Sequence, residues 1–173
     1  TDLTVVCFDK NYFRVVSSAA TREHDKYHIL KYLSKEISFA DVTEEICCLG
    51  LFGPKSREMI QNISSDDYSS NNFKFGMGKN VKIKNINIWA QRISYVGELG
   101  FELYVDSNQA LDLYKILIEE GKNFGLSHCG MHAMDIMRME TGFIHWGHDI
   151  SPEENQYQAG LLFASSYKKN VDF

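Results

Sequence analysis

The sequence contains few of the residues that divide a chain or direct it to a special environment. Only two of its 173 residues are proline, and no glycine- and serine-rich stretch separates one part from another. No apolar run approaches the roughly 20 residues that a membrane-spanning helix needs. The formal net charge is -5, so neither nucleic acid nor an anionic membrane is expected as a partner. With 44 % hydrophobic residues, the composition is typical of a folded globular protein, and the length suits one ordinary domain or two small ones.

Cysteine is also scarce, and the four cysteines are scattered. The adjacent Cys47 and Cys48 suit neither an ordinary disulfide nor a CxxC metal knuckle. They stand in the apolar run I-C-C-L-G-L-F, so we predict that both are small buried hydrophobic residues. This use of cysteine indicates a reducing compartment, the cytosol or the mitochondrial matrix. The chain starts T-D-L-T-V-V, without Met or a secretory signal, which suggests a processed chain or an excised piece.

The hydrophobic pattern alternates between antiparallel hairpins and helices. The predicted strands cover residues 3–8, 12–17, 46–52, 80–84, 86–95 and 101–105. The predicted helices cover residues 21–35, 109–120 and 131–141, with a short one that begins at Gly53-Pro54. This order predicts an α+β fold in which helices pack on one face of antiparallel sheets. A loose similarity between the two halves suggests a ferredoxin-like duplication.

Two charged groups near the end of the chain have simple structural interpretations. Asp135 and Arg138 are three residues apart on a predicted helix, so we expect them to pair on its solvent side. The segment H-W-G-H-D at residues 145–149 holds two imidazoles and a carboxylate. A metal site would need three or four ligands in a fixed geometry, which this segment does not supply. We therefore interpret it as a loop with one half-buried aromatic residue and expect no metal.

The stretch S-Y-V-G-E-L-G-F-E-L-Y-V at residues 94–105 predicts a tight turn between two strands, since glycine permits positive φ. By composition alone, Glu98 in this turn would be a solvated side chain. Asp2 would be part of a frayed terminus. No G-x-G-x-x-G fingerprint follows a strand, so no dinucleotide-binding domain is expected here. Composition and spacing thus predict an α+β domain without a function.

Five stretches, in order, resemble the folate-binding domain of the glycine-cleavage T-protein (aminomethyltransferase) family. They are most similar to the version fused to flavin-dependent dimethylglycine and sarcosine dehydrogenases. The stretches are T-D-L-T-V at residues 1–5, C-L-G-L-F-G-P-K-S-R at 48–57, R-I-S-Y-V-G-E-L-G-F-E-L-Y-V at 92–105, M-R-M-E-T-G-F-I-H-W-G-H-D-I-S-P-E at 137–153 and A-G-L-L-F at 159–163. Residues 1–173 are therefore interpreted as one aminomethyltransferase-like domain with the T-protein folate-binding fold. The family's first strands and C-terminal barrel are missing, so we expect a piece of a longer chain.

The resemblance implies tetrahydrofolate as the ligand and one-carbon transfer as the chemistry. The carbon would come from a methylated amine or an aminomethyl donor, and the product would be 5,10-methylene-tetrahydrofolate. FAD is expected only in a separate flavin-binding domain or subunit of the parent protein. Two alternatives remain open. One is a non-catalytic folate-binding module for regulation or subunit contacts, and the other is a folate-dependent demethylase.

The resemblance also implies roles for particular residues. Asp2 matches the family's catalytic aspartate, and Thr4 lies beside it on the first strand. Glu98 is expected to accept hydrogen bonds from the amino group and ring N–H of the pterin. Gly100 would let the ligand approach the backbone closely.

Aromatic residues complete the expected cofactor-binding set. Tyr95 is placed in it by the resemblance, and Trp146 could form a wall for a planar ligand. T-protein carries an arginine in the segment that matches residues 130–135, where it helps hold the folate glutamate tail. This chain has Met134 there, which favours the dehydrogenase branch and leaves the cationic partner of the tail unassigned.

Overall fold

In a computed structural model that describes residues 1–164 and 166, the chain forms six strands and four α-helices. The strands are β1 (Leu3–Asp9), β2 (Tyr12–Ser17), β3 (Ile46–Phe52), β4 (Gly78–Ile83), β5 (Ile86–Gln91) and β6 (Gly100–Asp106). The helices are α1 (Arg22–Tyr32), α2 (Ser56–Ile63), α3 (Ala110–Gly121) and α4 (Met131–Thr141). Within the described residues, no helix is both long and apolar enough to cross a membrane.

The strands form one antiparallel hairpin and one antiparallel four-stranded sheet. β1 pairs with β2, and the larger sheet has the order β3-β6-β5-β4. The predicted α+β class with antiparallel sheets is thus confirmed. The strands divide into two and four, and β3 from the first half of the chain pairs with β6 from the second. The pairing of the described strands therefore does not repeat one half in the other.

Helices α2 and α3 cover one face of the four-stranded sheet. Phe101, Leu103 and Val105 alternate along β6 with residues of the opposite face, as the two-residue period of a strand requires. They are buried together with apolar side chains of the two helices, namely Met59, Ile60, Ile63, Leu113 and Leu117. Each such side chain contributes about 1.5–3 kcal/mol when fully buried. The expected packing of helices on one face is observed for these two.

The β1–β2 hairpin packs on the other face of that sheet, which we call the outer face. The ring centroids of Phe8 and Trp89 are 4.5 Å apart. The guanidinium carbon of Arg14 is 5.3 Å from the ring centroid of Tyr104. These contacts hold the hairpin, and with it the beginning of the chain, against β5 and β6.

The predictions for the end of α1, the start of α2 and the burial of Cys48 differ from the structure. Helix α1 ends at Tyr32 instead of residue 35, because the backbone of Leu33 is extended. Helix α2 begins at Ser56, since Pro54 lies in a turn closed by the Ser56 N–H, which donates to the Gly53 carbonyl at 3.0 Å. Cys48 is exposed on the outer face, so the prediction that it is buried was wrong.

Candidate functional site

A loop of eight residues, 92–99, connects β5 to β6. The prediction of a strand to residue 95 followed by a tight turn was wrong, because β5 ends at Gln91. Arg92 still donates its backbone N–H to the Met77 carbonyl at 2.8 Å, and the chain then leaves the sheet. Glu98 and Tyr95 therefore belong to a loop that is positioned by its own contacts.

Contacts on both sides of Glu98 fix this loop. The Val96 carbonyl accepts a hydrogen bond from the Thr141 hydroxyl at the end of α4, at 3.3 Å. The Leu99 carbonyl accepts from the backbone N–H of Gly53 at 2.8 Å and from the Ser56 hydroxyl at 3.1 Å. The loop is thus attached to α4 before Glu98 and to the start of α2 after it.

The Glu98 side chain is exposed, and its carboxylate accepts no hydrogen bond from any described residue. An acidic side chain on a well-anchored segment usually accepts hydrogen bonds from its own protein. Asp149, for example, accepts from the His145 backbone N–H at 2.8 Å. Glu98 instead combines an anchored backbone with two free acceptor oxygens. That combination suits recognition of a ligand with paired donors.

The hydroxyl of Tyr95 is buried and has no hydrogen-bond partner among the described residues. Burial raises the pKa of Tyr95, the Arg138 guanidinium opposes this rise, and the carboxylates of Asp135, Asp149 and Asp2 add to it. The hydroxyl therefore stays neutral at physiological pH and is available as a donor. A buried hydroxyl without a partner carries a cost that a bound ligand could remove.

Asp2 is exposed at the beginning of the chain, just before β1. Its charge acts on the Tyr95 hydroxyl, so the structure brings Asp2 and Tyr95 into one electrostatic environment. Thr4 is half-buried and pairs with Val16 across the hairpin. Residues two apart on a strand face the same way, so Thr4 lies on the same side as the buried Val6.

A buried arginine organises the side of the site formed by α4 and the segment after it. The Arg138 side chain is only 3 % exposed; it donates to the Asp135 carboxylate at 2.7 Å, to the Phe143 carbonyl at 3.1 Å and to the Asp149 carboxylate. The expected pairing with Asp135 is present, but its placement on the solvent side was wrong. The Arg138 guanidinium holds the pKa of Asp149 below its usual range.

The sequence interpretation missed His145 as part of this environment. Its ring contacts Tyr95 edge-on, with centroids 6.0 Å apart, and stacks on His148 at 4.2 Å. The proximity of the two imidazoles in the H-W-G-H-D segment was the available signal. In the described part of the chain, no group of three or more His, Cys, Asp or Glu could hold a metal ion.

Gly100 and Trp146 each follow a residue of this environment in the sequence, Leu99 and His145 respectively. Gly100 begins β6 opposite Phe52, and an added Cβ would overlap the Phe52 ring, so packing already requires glycine there. Trp146 is half-buried next to His145 and forms an isolated bridge with Ile150. Their roles toward a ligand stay predictions.

We expect Gly97→Ala to lower the free energy of unfolding by about 1–3 kcal/mol and to displace Glu98. Gly97 has φ +77°, and an added Cβ would overlap the Thr141 side chain. Gly125→Ala is the matched control, because Gly125 has φ +74° but open space around its Cβ position. Chemical denaturation of both variants checks the prediction; equal losses would show that the contact with Thr141 does not fix the loop.

Comparison with known proteins identifies the family. Residues 1–169 match the GCVT N-terminal domain, so the chain belongs to this family and the resemblance seen in the sequence is confirmed. A solved heterotetrameric sarcosine oxidase from Corynebacterium sp. U-96 has a similar fold. Its TM-score is 0.55 at 14 % identity, over 74 % of this chain and 64 % of that one.

Three relatives illustrate the range of the family, and all three are enzymes. The chain is 36 % identical to 4-methylaminobutanoate oxidase (formaldehyde-forming) of Paenarthrobacter nicotinovorans over 99 % of its own length and 21 % of that protein. It is 33 % identical to mitochondrial dimethylglycine dehydrogenase of Homo sapiens, over 99 % and 20 %. It is 34 % identical to aminomethyltransferase of Alkaliphilus metalliredigens (strain QYMF), over 99 % and 47 %. The chain thus spans about a fifth to a half of the length of these relatives.

Proposed function

We propose that this chain binds tetrahydrofolate at the 92–99 loop and transfers a one-carbon unit to it. The donor is a methylated amine or an aminomethyl group, and the parent protein resembles the dimethylglycine and sarcosine dehydrogenases. The observation that carries the proposal is Glu98, whose carboxylate is free while the backbone on either side of it is anchored. The relatives of this chain include an aminomethyltransferase and a dimethylglycine dehydrogenase, which supports one-carbon transfer as the class of chemistry.

The free carboxylate fits the edge of a pterin. That edge presents an amino group and a ring N–H side by side, and a carboxylate accepts such a pair through its two oxygens. Because both anchors restrain the loop, Glu98 loses little freedom on binding, which favours affinity. Gly100, at the end of the same loop, is proposed to let the ligand approach the backbone.

The unpaired hydroxyl of Tyr95 fits a second polar group of the same ligand. The hydroxyl is shielded from water, so a ligand that bonds to it does not have to displace a hydrogen-bonded water. Such a hydrogen bond contributes more to affinity than one at an exposed hydroxyl. Trp146 is proposed as a wall against which a planar ring stacks.

Asp2 is proposed as the catalytic residue, with Thr4 beside it. Tetrahydrofolate, when bound, supplies the nitrogens that accept the carbon unit and becomes 5,10-methylene-tetrahydrofolate. Asp2 orients the reacting nitrogen, accepts its proton and stabilises the positive charge that develops on the incoming carbon as the bond between that carbon and the donor nitrogen breaks and the amine leaves.

We also propose that the flavin belongs to a different domain or subunit of the parent protein. Amine oxidation there would produce the one-carbon unit that this domain captures. We propose that the protein is located in the cytoplasm or the mitochondrial matrix. The related dimethylglycine dehydrogenase of Homo sapiens is mitochondrial.

The direct test supplies the polypeptide that carries this chain with tetrahydrofolate and a panel of donors labelled in the methyl carbon. Dimethylglycine, sarcosine and 4-methylaminobutanoate are the first members of the panel. Label in 5,10-methylene-tetrahydrofolate supports the proposal. Folate binding without label transfer from any donor would leave a non-catalytic module, and label in methyl-tetrahydrofolate would indicate a demethylase.

A further inference from the structure

The β1–β2 hairpin has a second face, which points away from the four-stranded sheet. Residues two apart on a strand point to the same side, so this face consists of the residues that alternate with the buried Val6. The pairing of the strands places Val5 opposite Val15 and Cys7 opposite Phe13. We call this surface the free face of the hairpin, and its exposed residues are Leu3, Val5, Cys7, Phe13 and Val15.

The free face is both apolar and exposed. Leu3, Val5, Phe13 and Val15 are between 37 % and 60 % exposed, and Cys7 is exposed as well. Directly opposite residues of an antiparallel pair have Cβ atoms about 5 Å apart, so these side chains form one continuous patch. A solvated face of an antiparallel sheet is normally polar. A continuous apolar patch instead marks a surface that another structural element covers.

The sequence and pairing of the hairpin give the same indication. β1 reads L-T-V-V-C-F-D, so apolar residues lie on both of its sides. Strands that are buried on both faces have nearly continuous apolar sequences, whereas strands with one solvated face alternate apolar with polar residues. In the described part of the chain, β1 and β2 pair only with each other, and a two-stranded sheet depends on packing for its stability. The hairpin sequence thus predicts a layer on each of its two faces.

The lengths of the relatives indicate what covers the free face. The chain spans 20 % of the related dimethylglycine dehydrogenase and 47 % of the related aminomethyltransferase. Each of these polypeptides therefore has more residues outside the matched region than within it. We expect the same of the polypeptide that carries this chain, which we call the parent polypeptide.

The size of the free face favours the same polypeptide over a second molecule. Specific interfaces between separate proteins contain about 20–30 residues on each side, many more than the free face provides. A segment of the same polypeptide loses much less translational and rotational freedom when it packs, so a small apolar patch is sufficient to hold it. Because every residue of the free face is uncharged, the matching surface of that segment is apolar as well.

We propose that a segment of the parent polypeptide outside residues 1–173 packs apolar side chains against the free face. The hairpin then lies between this segment and the four-stranded sheet, and contacts on both sides hold it in place. Asp2 directly precedes β1, so the same contacts restrain the strand that follows Asp2. The inference does not rest on the proposed function, because it involves neither a ligand nor the 92–99 loop.

Cys7 allows the covering of the free face to be measured in the wild-type parent polypeptide. N-ethylmaleimide is added to the native and to the guanidinium-unfolded polypeptide, and mass spectrometry follows the modification of Cys7. We expect Cys7 to react about 100-fold more slowly in the native state, because the covering segment must first move away. Lys10→Cys is the matched control, since position 10 lies at the exposed tip of the same hairpin and should react at similar rates in both states. Equal rates at Cys7 would overturn the proposal.

A second measurement introduces a charge on the free face. Val5→Lys should lower the unfolding temperature of the parent polypeptide by about 5 °C, because its ammonium group would be buried without a partner. Leu111→Lys in α3 is the matched control, since Leu111 is 61 % exposed and Val5 is 60 % exposed. A surface substitution such as Leu111→Lys should change the unfolding temperature much less. Equal shifts would contradict the proposal; if Val5→Lys does not fold, the labelling of wild-type Cys7 decides.

Photo-crosslinking identifies the covering segment. Benzoylphenylalanine is introduced in place of Val15, the parent polypeptide is irradiated, and mass spectrometry locates the cross-linked residues. A cross-link to residues outside this chain, within one polypeptide, supports the proposal. A cross-link to a second copy, together with Cys7 protection that disappears on dilution, would assign the free face to a dimer and overturn it, as would a cross-link within residues 1–173. All three measurements are made without folate, so a failure of the proposed function leaves their outcomes unchanged.

Discussion

Asp2→Asn is expected to reduce formation of 5,10-methylene-tetrahydrofolate by about 10²- to 10⁴-fold, the usual contribution of a positioned acid or base. Asparagine conserves the shape of the side chain but neither accepts a proton as a base nor stabilises a cation. Affinity for a folate analogue should stay at its wild-type value, because recognition of the pterin is assigned to Glu98. The loss would therefore appear in turnover and not in binding.

The measurement is single-turnover transfer of label from a methyl-labelled amine, with 5-formyltetrahydrofolate titrated by calorimetry in parallel. Asp112→Asn is the control, because Asp112 is exposed in the first turn of α3. Unchanged transfer in Asp2→Asn would remove Asp2 from catalysis. A simultaneous loss of analogue binding would instead give Asp2 a role in holding the ligand.

Glu98→Gln should weaken binding of 5-formyltetrahydrofolate by about 1.5–3 kcal/mol, the scale of a hydrogen bond to a charged group. This corresponds to roughly 10- to 150-fold in the dissociation constant. Glutamine has the same size, but it replaces one acceptor oxygen with an NH₂ donor that faces the donors of the pterin. The charge that strengthens the remaining hydrogen bond is also lost.

Calorimetry at constant salt concentration measures the difference directly. Glu45→Gln is the matched control, since Glu45 is exposed next to β3 at the end of the sheet away from the 92–99 loop. Because the exposed Glu98 side chain makes no hydrogen bond or ion pair with the described residues, the variant should unfold at the wild-type temperature. Equal affinities would return Glu98 to an ordinary solvated residue.

The local hydrophobic pattern was sufficient to predict those strands and helices whose buried residues recur at the period of the element. Strand β3 and helix α4 were predicted with their observed bounds, and Met59, Ile60 and Ile63 of α2 are buried at helical spacing. These residues follow the period of a strand or helix, so their spacing reveals which face is buried.

The 92–99 loop could not be predicted in the same way. Ile93, Tyr95 and Val96 continue the apolar character of β5, and only hydrogen bonds to distant residues show that the chain leaves the sheet there. The bond from Thr141 to the Val96 carbonyl spans 45 positions. Arg138 is similar, because its burial depends on Asp149, eleven positions further on.

The proposed site residues were predicted through the resemblance to a family and not through spacing. Glu98 is an exposed glutamate and Asp2 an exposed residue at the start of the chain, and neither has a local pattern that marks it. The structure adds that Asp2 and Tyr95 share one electrostatic environment and that Tyr95 lacks a partner. Such relations arise only when distant segments fold together.

Because the 92–99 loop is attached at two points, the affinity for a ligand at Glu98 is coupled to the stability of both attachments. One attachment is to α4 and the other is to the start of α2, so the loop joins two elements that are distant in sequence. A ligand that binds Glu98 only while the hydrogen bonds of both attachments are formed stabilises those attachments by RT ln(1 + [L]/Kd). By the same reciprocity, a substitution that loosens the end of α4 lowers affinity without touching the ligand.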